Sequence, residues 1–161
     1  LARDGEMLAS IVARPSEDKT FTAIKGEGAY VQIGKRRPRR LRLPKKPRTN
    51  KAFISSKARP HQVLARPNFD PRERPIGAAL VLTQLAEGEV CAYLTRQVEI
   101  YDAGPPSLIA EEAGARCYIG EHRRPAYTQR RKFGYFVAAA NDDIAAQLFA
   151  IIRQVKRNKV V

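Results

Sequence analysis

The chain has no tryptophan, one methionine and two cysteines, and aromatic residues make up 7% of it. Cys91 and Cys117 are too few for a disulfide framework and stand at no zinc-site spacing. No stretch approaches the ~18 consecutive apolar residues of a membrane-spanning helix. Residues 1–10 do not show a signal peptide's charged-then-apolar order, so an intracellular protein is expected. Acid is also scarce, with Asp+Glu 16 against Lys+Arg 30 and a formal charge of +14. Against these shortages, 43% of the 161 residues are hydrophobic, enough for a folded core and too many for a disordered basic tail.

The positive charge is concentrated. Residues 35–51 carry ten Lys/Arg and no acid, residues 116–132 carry six with one Glu, and residues 153–159 carry four. These windows hold +19, which leaves the other 120 residues at −5. Solvated faces usually mix both signs, and a one-signed run repels itself unless a polyanion neutralises it. Arginine outnumbers lysine 20 to 10, and its planar fork suits phosphate oxygens. The residues expected to grip nucleic-acid phosphates are Lys35, Arg36, Arg37, Arg39, Arg40, Arg42, Lys45, Lys46, Arg48, Arg123, Arg124, Arg130, Arg131 and Lys132. Tyr118 and Tyr127 could stack on bases, although core packing explains them equally well.

Strands are expected over 6–14, 19–25 and 29–33, with Gly26-Glu27-Gly28 closing a hairpin between the last two. The basic run is broken by Pro38, Pro44 and Pro47 and cannot be one helix. A short buried strand follows at 52–56, so residues 1–56 read as an antiparallel meander with a basic insertion at 35–51. The prolines of 57–75 mark a loop. Residues 76–161 read as an α/β lobe with its own basic loop at 116–132. It contains a helix over 76–86 ending at Gly88, a strand at 90–94, a helix capped by Asp102 and stopping at Gly114, a strand at 135–139 and a last helix capped by Asn141. Cys91 and Cys117 are expected in the core, and His61 and His122 in polar loops without a second ligand. The strand at 6–14 starts abruptly, with nothing before it to cover its face, and either a preceding portion of the protein or another chain is expected to complete the layer.

Several segments, in order, resemble the inositol-monophosphatase-like family of magnesium-dependent phosphomonoesterases. Residues 2–6 and 23–30, ending Gly26-Glu27-Gly28-Ala29-Tyr30, are similar to its central strands and Gly-x-Gly-Ala turn. Ile76-Gly77-Ala78-Ala79-Leu80 and Leu85-Ala86-Glu87-Gly88-Glu89-Val90-Cys91-Ala92-Tyr93-Leu94 resemble its Gly-Ser-Ala-Ala helix and Ala-x-Gly-x-x-Asp-Ala-Tyr strand. Residues 99–114, with Tyr101-Asp102 and Glu112-Ala113-Gly114, resemble the Trp-Asp-x-Ala-Ala-Gly motif and its helix, and residues 138–141 the last strand and cap. The resemblance covers residues 1 to about 155.

It implies a layered α/β/α/β sandwich that hydrolyses small phosphate monoesters with magnesium held by converging carboxylates. Of those carboxylates, Asp102 alone has a counterpart here, either as a vestigial metal ligand or simply as the cap of its helix. The family's Asp-Pro-x-Asp-Gly-Thr segment is absent and would lie before Leu1; Asp70-Pro71 continues Arg72-Glu73-Arg74 instead. Tyr101 replaces Trp, Gly104-Pro105-Pro106 replaces Ala-Ala-Gly, and Ala78 stands where Ser is common. With no catalytic set and no cofactor expected of the residues as given, the leading expectation is a catalytically silent, phosphatase-like protein. It would bind RNA, chiefly rRNA, among the proteins of a ribonucleoprotein such as a mitochondrial ribosome. The alternative is the C-terminal part of an active phosphomonoesterase, acting with magnesium on a small phosphate ester once an upstream motif is supplied.

Overall fold

The computed structural model describes residues 1–55, 58, 70–71, 77–128 and 132–157. Its first element is a two-stranded hairpin, β1 (Ala2–Arg3) and β2 (Glu6–Met7), which leads through Leu8 into β3 (Ala9–Arg14). With β4 (Lys19–Ile24), β5 (Gly28–Ile33) and β6 (Arg39–Leu41), β3 makes a four-stranded antiparallel meander in sequence order. The period-2 alternation decides its faces. Ser10, Ala23, Ala29 and Leu41 share one register line, as do Val12, Phe21 and Val31, and these lines face the core. The line Ile11, Thr22, Tyr30 and Arg40 faces outward, with Ile11 74% exposed. β6 lies inside the arginine-rich run, where its one apolar residue, Leu41, is almost fully buried.

The second sheet has five strands in the order β10 (Arg116–Ile119), β11 (Lys132–Ala139), β9 (Ala92–Glu99), β7 (Lys51–Ile54) and β8 (Asp70–Pro71). β10, β11 and β9 pair antiparallel, and β9, β7 and β8 pair parallel. The strand expected at 52–56 therefore belongs to this sheet and not to the meander. Consecutive residues Ala92–Thr95 and Phe136–Ala139 are all buried, so both faces of the central strands are covered.

Between the sheets lie α1 (Ala78–Glu87) and α2 (Ile100–Glu112), and α3 (Asp142–Arg157) packs on β9 and β11. The result alternates sheet and helix layers, as the sequence led one to expect. α1 ends at Gly88 with φ +78, where the Gly88 and Glu89 N–H groups donate to the Leu85 and Gln84 carbonyls. α3 begins where the Asn141 side-chain oxygen accepts the Ile144 N–H at 3.0 Å, and its first turn is acidic and its last basic. No described helix is long and apolar enough to cross a membrane. Most of 57–75, including His61, lies outside the described residues, as do Arg130, Arg131 and residues 158–161.

The start of α2 differs from expectation. Its cap is Glu99, in extended conformation, and Asp102 sits in the first turn. β9 continues past residue 94 to Glu99 and turns directly into the helix, so no loop remains in which Asp102 could cap. Gln97, at φ +57, falls opposite Gly134, where the β9–β11 register is interrupted. Pro105 and Pro106 consequently fall in the second turn, not the first.

An ion network ties the meander to α1. Glu87 accepts from Arg14 at 2.8 Å and Lys19 at 2.9 Å, while Glu17 pairs with both cations. Arg14 and Glu87 are 6% and 8% exposed, so neutralising Glu87 leaves a buried Arg14 with Glu17 as its remaining carboxylate. Glu87→Gln is expected to lower unfolding free energy by about 2 kcal/mol, the scale of a charge-assisted hydrogen bond, read as a lower urea midpoint at unchanged slope. A loss below about 0.5 kcal/mol, the range of surface pairs, would contradict this account.

Candidate active site

Asp102 lies at the head of α2 with its side chain exposed, near the helix N-terminus that favours negative charge. Tyr101 beside it is 71% exposed. The carboxylate is close enough to Tyr93 to help raise that phenol's pKa, which burial raises most and the Thr95 hydroxyl opposes. Proline has no N–H, so Pro105 and Pro106 leave the carbonyls of Tyr101 and Asp102 without their usual helical donors. The Pro105 carbonyl itself accepts from the Ser10 hydroxyl at 2.6 Å, which joins α2 to the meander at this turn. A side chain at Gly104 would meet the Tyr127 ring at 3.2 Å and the Met7 sulfur at 3.5 Å, so glycine there permits the close approach of both.

Magnesium takes several hard oxygen ligands. Asp102 is a suitable donor, but no three His, Cys, Asp or Glu side chains converge among the described residues. A complete magnesium centre therefore needs donors from outside the described residues.

The glycine turn proves to be occupied by the protein itself. Glu112, at the end of α2, accepts the Gly26 N–H at 2.8 Å and the Gly28 N–H at 2.9 Å. Gly26 and Gly28 have φ of +82 and +97, which explains the residue type without a phosphate.

The cations marked by the sequence divide into engaged and unengaged groups. Arg124 pairs with Glu111 at 3.1 Å and lies over the Tyr118 ring, and Lys132 pairs with Glu99 at 3.0 Å. Arg40 lies over the Tyr30 ring. In the third basic window, Arg153 and Lys156 share Glu121, each at 3.0 Å. Lys35, Arg36, Arg37, Lys45, Lys46 and Arg123 are exposed. Arg39, Arg42 and Arg48 line a cleft beside the turn that follows α1. The tyrosines of the second patch serve packing. Tyr118 meets the Phe149 ring at 5.3 Å and hydrogen-bonds Asp142 at 2.7 Å, and Tyr127 meets Phe133 at 5.9 Å. His122 stands edge-on to Phe149.

Residues 1–157 match the family model described as the inositol monophosphatase family. The chain belongs to this family. The fold agrees with solved structures at low sequence identity. An IMPase from Thermotoga maritima superposes with a TM-score of 0.77 at 17% identity, over 96% of this chain and 59% of that one. The extragenic suppressor protein suhB from Bartonella henselae gives 0.72 at 23%, over 92% and 60%. An extragenic suppressor from Pyrococcus furiosus gives 0.72 at 19%, over 88% and 56%. The chain thus spans between 56% and 60% of the length of these family structures. No curated protein sequence matches it. The Ser10 contact with Pro105, 95 residues away in the chain, and the left-handed Gln97 leave no local signal in the sequence.

Both cysteines are buried core residues. Burial raises the Cys91 thiol to about 11, and burial followed by the nearby Glu111 charge holds Cys117 well above the usual range. Neither thiol of the native chain should react with Ellman's reagent at mildly alkaline pH, and both should react in concentrated guanidinium. Prompt reaction of the native protein would show that this core is open.

Proposed function

We propose that this chain is the C-terminal part of a magnesium-dependent phosphomonoesterase, to which it contributes Asp102 as one metal ligand. The observation that supports this reading is the placement of Asp102. It is an exposed carboxylate at the start of α2, in a chain whose family match runs from residue 1 to 157. The substrate class is a small phosphate monoester. When bound, magnesium would activate a water and neutralise charge on the phosphate. The residues of this chain orient the ligand: Glu99 ends β9 in extended conformation, and the first turn of α2 presents Asp102. The Ser10 bond to Pro105 keeps the next turn of α2 against the meander.

The remaining donors belong to a segment of the Asp-Pro-x-Asp-Gly-Thr kind, supplied ahead of Leu1 in a longer protein. Attachment to RNA, the leading expectation from composition, draws no support from the family match or from the neighbours in fold. Several of the cations it relied on are engaged by Glu99, Glu111 and Glu121.

The test joins this chain to its encoded upstream sequence and measures phosphate release from inositol monophosphate with and without magnesium. Magnesium-dependent turnover is expected, falling by about 100-fold or more in Asp102→Asn, beyond what loss of an outer-shell partner usually costs. An extended protein without turnover, or an Asp102→Asn variant as active as its parent, would overturn the proposal.

A further inference from the structure

The cleft lined by Arg39, Arg42 and Arg48 has a volume of about 500 Å3, within the range of small-molecule sites. Leu43, Pro44, Pro47, Val90 and Ala140 form its apolar part, and two carboxylates, Glu87 and Glu89, also reach it. Their charge is largely answered from behind. Glu87 is held by Arg14 and Lys19, and Lys19 lies 3.8 Å from Glu89. Glu17 completes the network by pairing with the same two cations. Around the cleft there are therefore five cations and three carboxylates, and the three cleft arginines make no ion pair among the described residues.

Burial, and then the Glu87 charge, raises the Glu89 carboxyl above its ordinary range. Segment 42–48 is held in place at two points. The Leu43 N–H donates to the Ala113 carbonyl at 2.7 Å, and Asn141 donates to the Lys45 carbonyl at 3.2 Å. The arginines thus stand on anchored backbone, at the end of β9 opposite the Asp102 turn.

We propose that this cleft is a second anion site, distinct from the Asp102 turn, that binds a phosphorylated small molecule. Its phosphates lie against the guanidiniums of Arg39, Arg42 and Arg48, and its less polar body lies against Leu43, Pro44 and Val90. Guanidinium forks match phosphate oxygens in pairs, and an apolar wall beside them suits a ligand that carries more than phosphate. A cleft of this volume takes a compact ligand, where a nucleic-acid backbone would need a longer track.

Calorimetric titration of the full 161-residue chain with ATP, with inorganic triphosphate and with a short single-stranded RNA tests this. ATP is expected to bind saturably at one site and more tightly than triphosphate alone. Arg42→Ala or Arg48→Ala should weaken ATP by about tenfold or more, the cost of losing a charge-assisted hydrogen bond. Glu89→Gln should tighten it, and Asp102→Asn should leave it unchanged. Circular dichroism of each variant confirms that the fold is kept. Absence of ATP binding, binding indifferent to the arginine substitutions, or loss of binding in Asp102→Asn would each overturn the proposal. RNA binding tighter than ATP, with a steep salt dependence, would also overturn it and identify the basic run as a nucleic-acid contact. None of these outcomes depends on whether the longer protein is an active phosphatase.

Discussion

Helix α2 has to bury two opposite sides at once, and the rest of the molecule is arranged around that requirement. Leu108, Ile109 and Ala113 join Phe21, Val31 and Leu41 in the core under the meander. Ala103 and Ala110 join Leu94, Phe136 and Leu148 in the core of the five-stranded sheet. A helix between two sheets cannot show the single apolar stripe of a surface helix, and small residues must let it sit close to both neighbours. Ala103, Gly104, Ser107 and Ala110 do so, and the Ser107 hydroxyl is satisfied within the helix by the Ala103 carbonyl. Glu112 and Ser10 add polar ties from α2 to the meander, so hydrogen bonds and apolar packing fix the same orientation.

What could be read from the sequence follows from how local each determinant is. The hairpin at Gly26-Glu27-Gly28, the stop at Gly88 and the Asn141 cap are set within four residues of chain, and all three form as expected. The family resemblance was legible for the same reason, since its motifs are short runs in order. β6 was not read because an arginine-rich run carries no alternating pattern; it forms because β5 offers an unpaired edge and Leu41 has a core to enter. Asp102 was read as a cap because aspartate ahead of proline is a strong local signal. That signal lost to the extension of β9, which is fixed by pairing with residues 132–139 and is invisible from residues 99–106 alone.

Charge shows the same limit. Composition located the cations correctly but could not say which would meet a carboxylate. Glu87 lies 73 residues from Arg14 and 68 from Lys19, and Glu121 lies 32 from Arg153 and 35 from Lys156. Such pairings offset part of the charge of a nominal basic patch. Among the described residues, most of the cations left without an ion pair lie in the segment 35–48. The acidic body inferred from the count of −5 is likewise not a uniform field, because Glu17, Glu87 and Glu89 gather at one end of α1.

Helix α2 also sets a length. Asp102 stands in its first turn, and the residue after its last, Ala113, holds the backbone of Leu43 in the arginine cleft. At 1.5 Å per residue, the ten steps from Asp102 to Glu112 measure about 15 Å. An α-helix keeps its rise where a loop would stretch or fold, so α2 works as a ruler. The spacing between its carboxylate end and its arginine end is written into the number of its residues, and inserting or deleting one would also rotate the two ends against each other by about 100°.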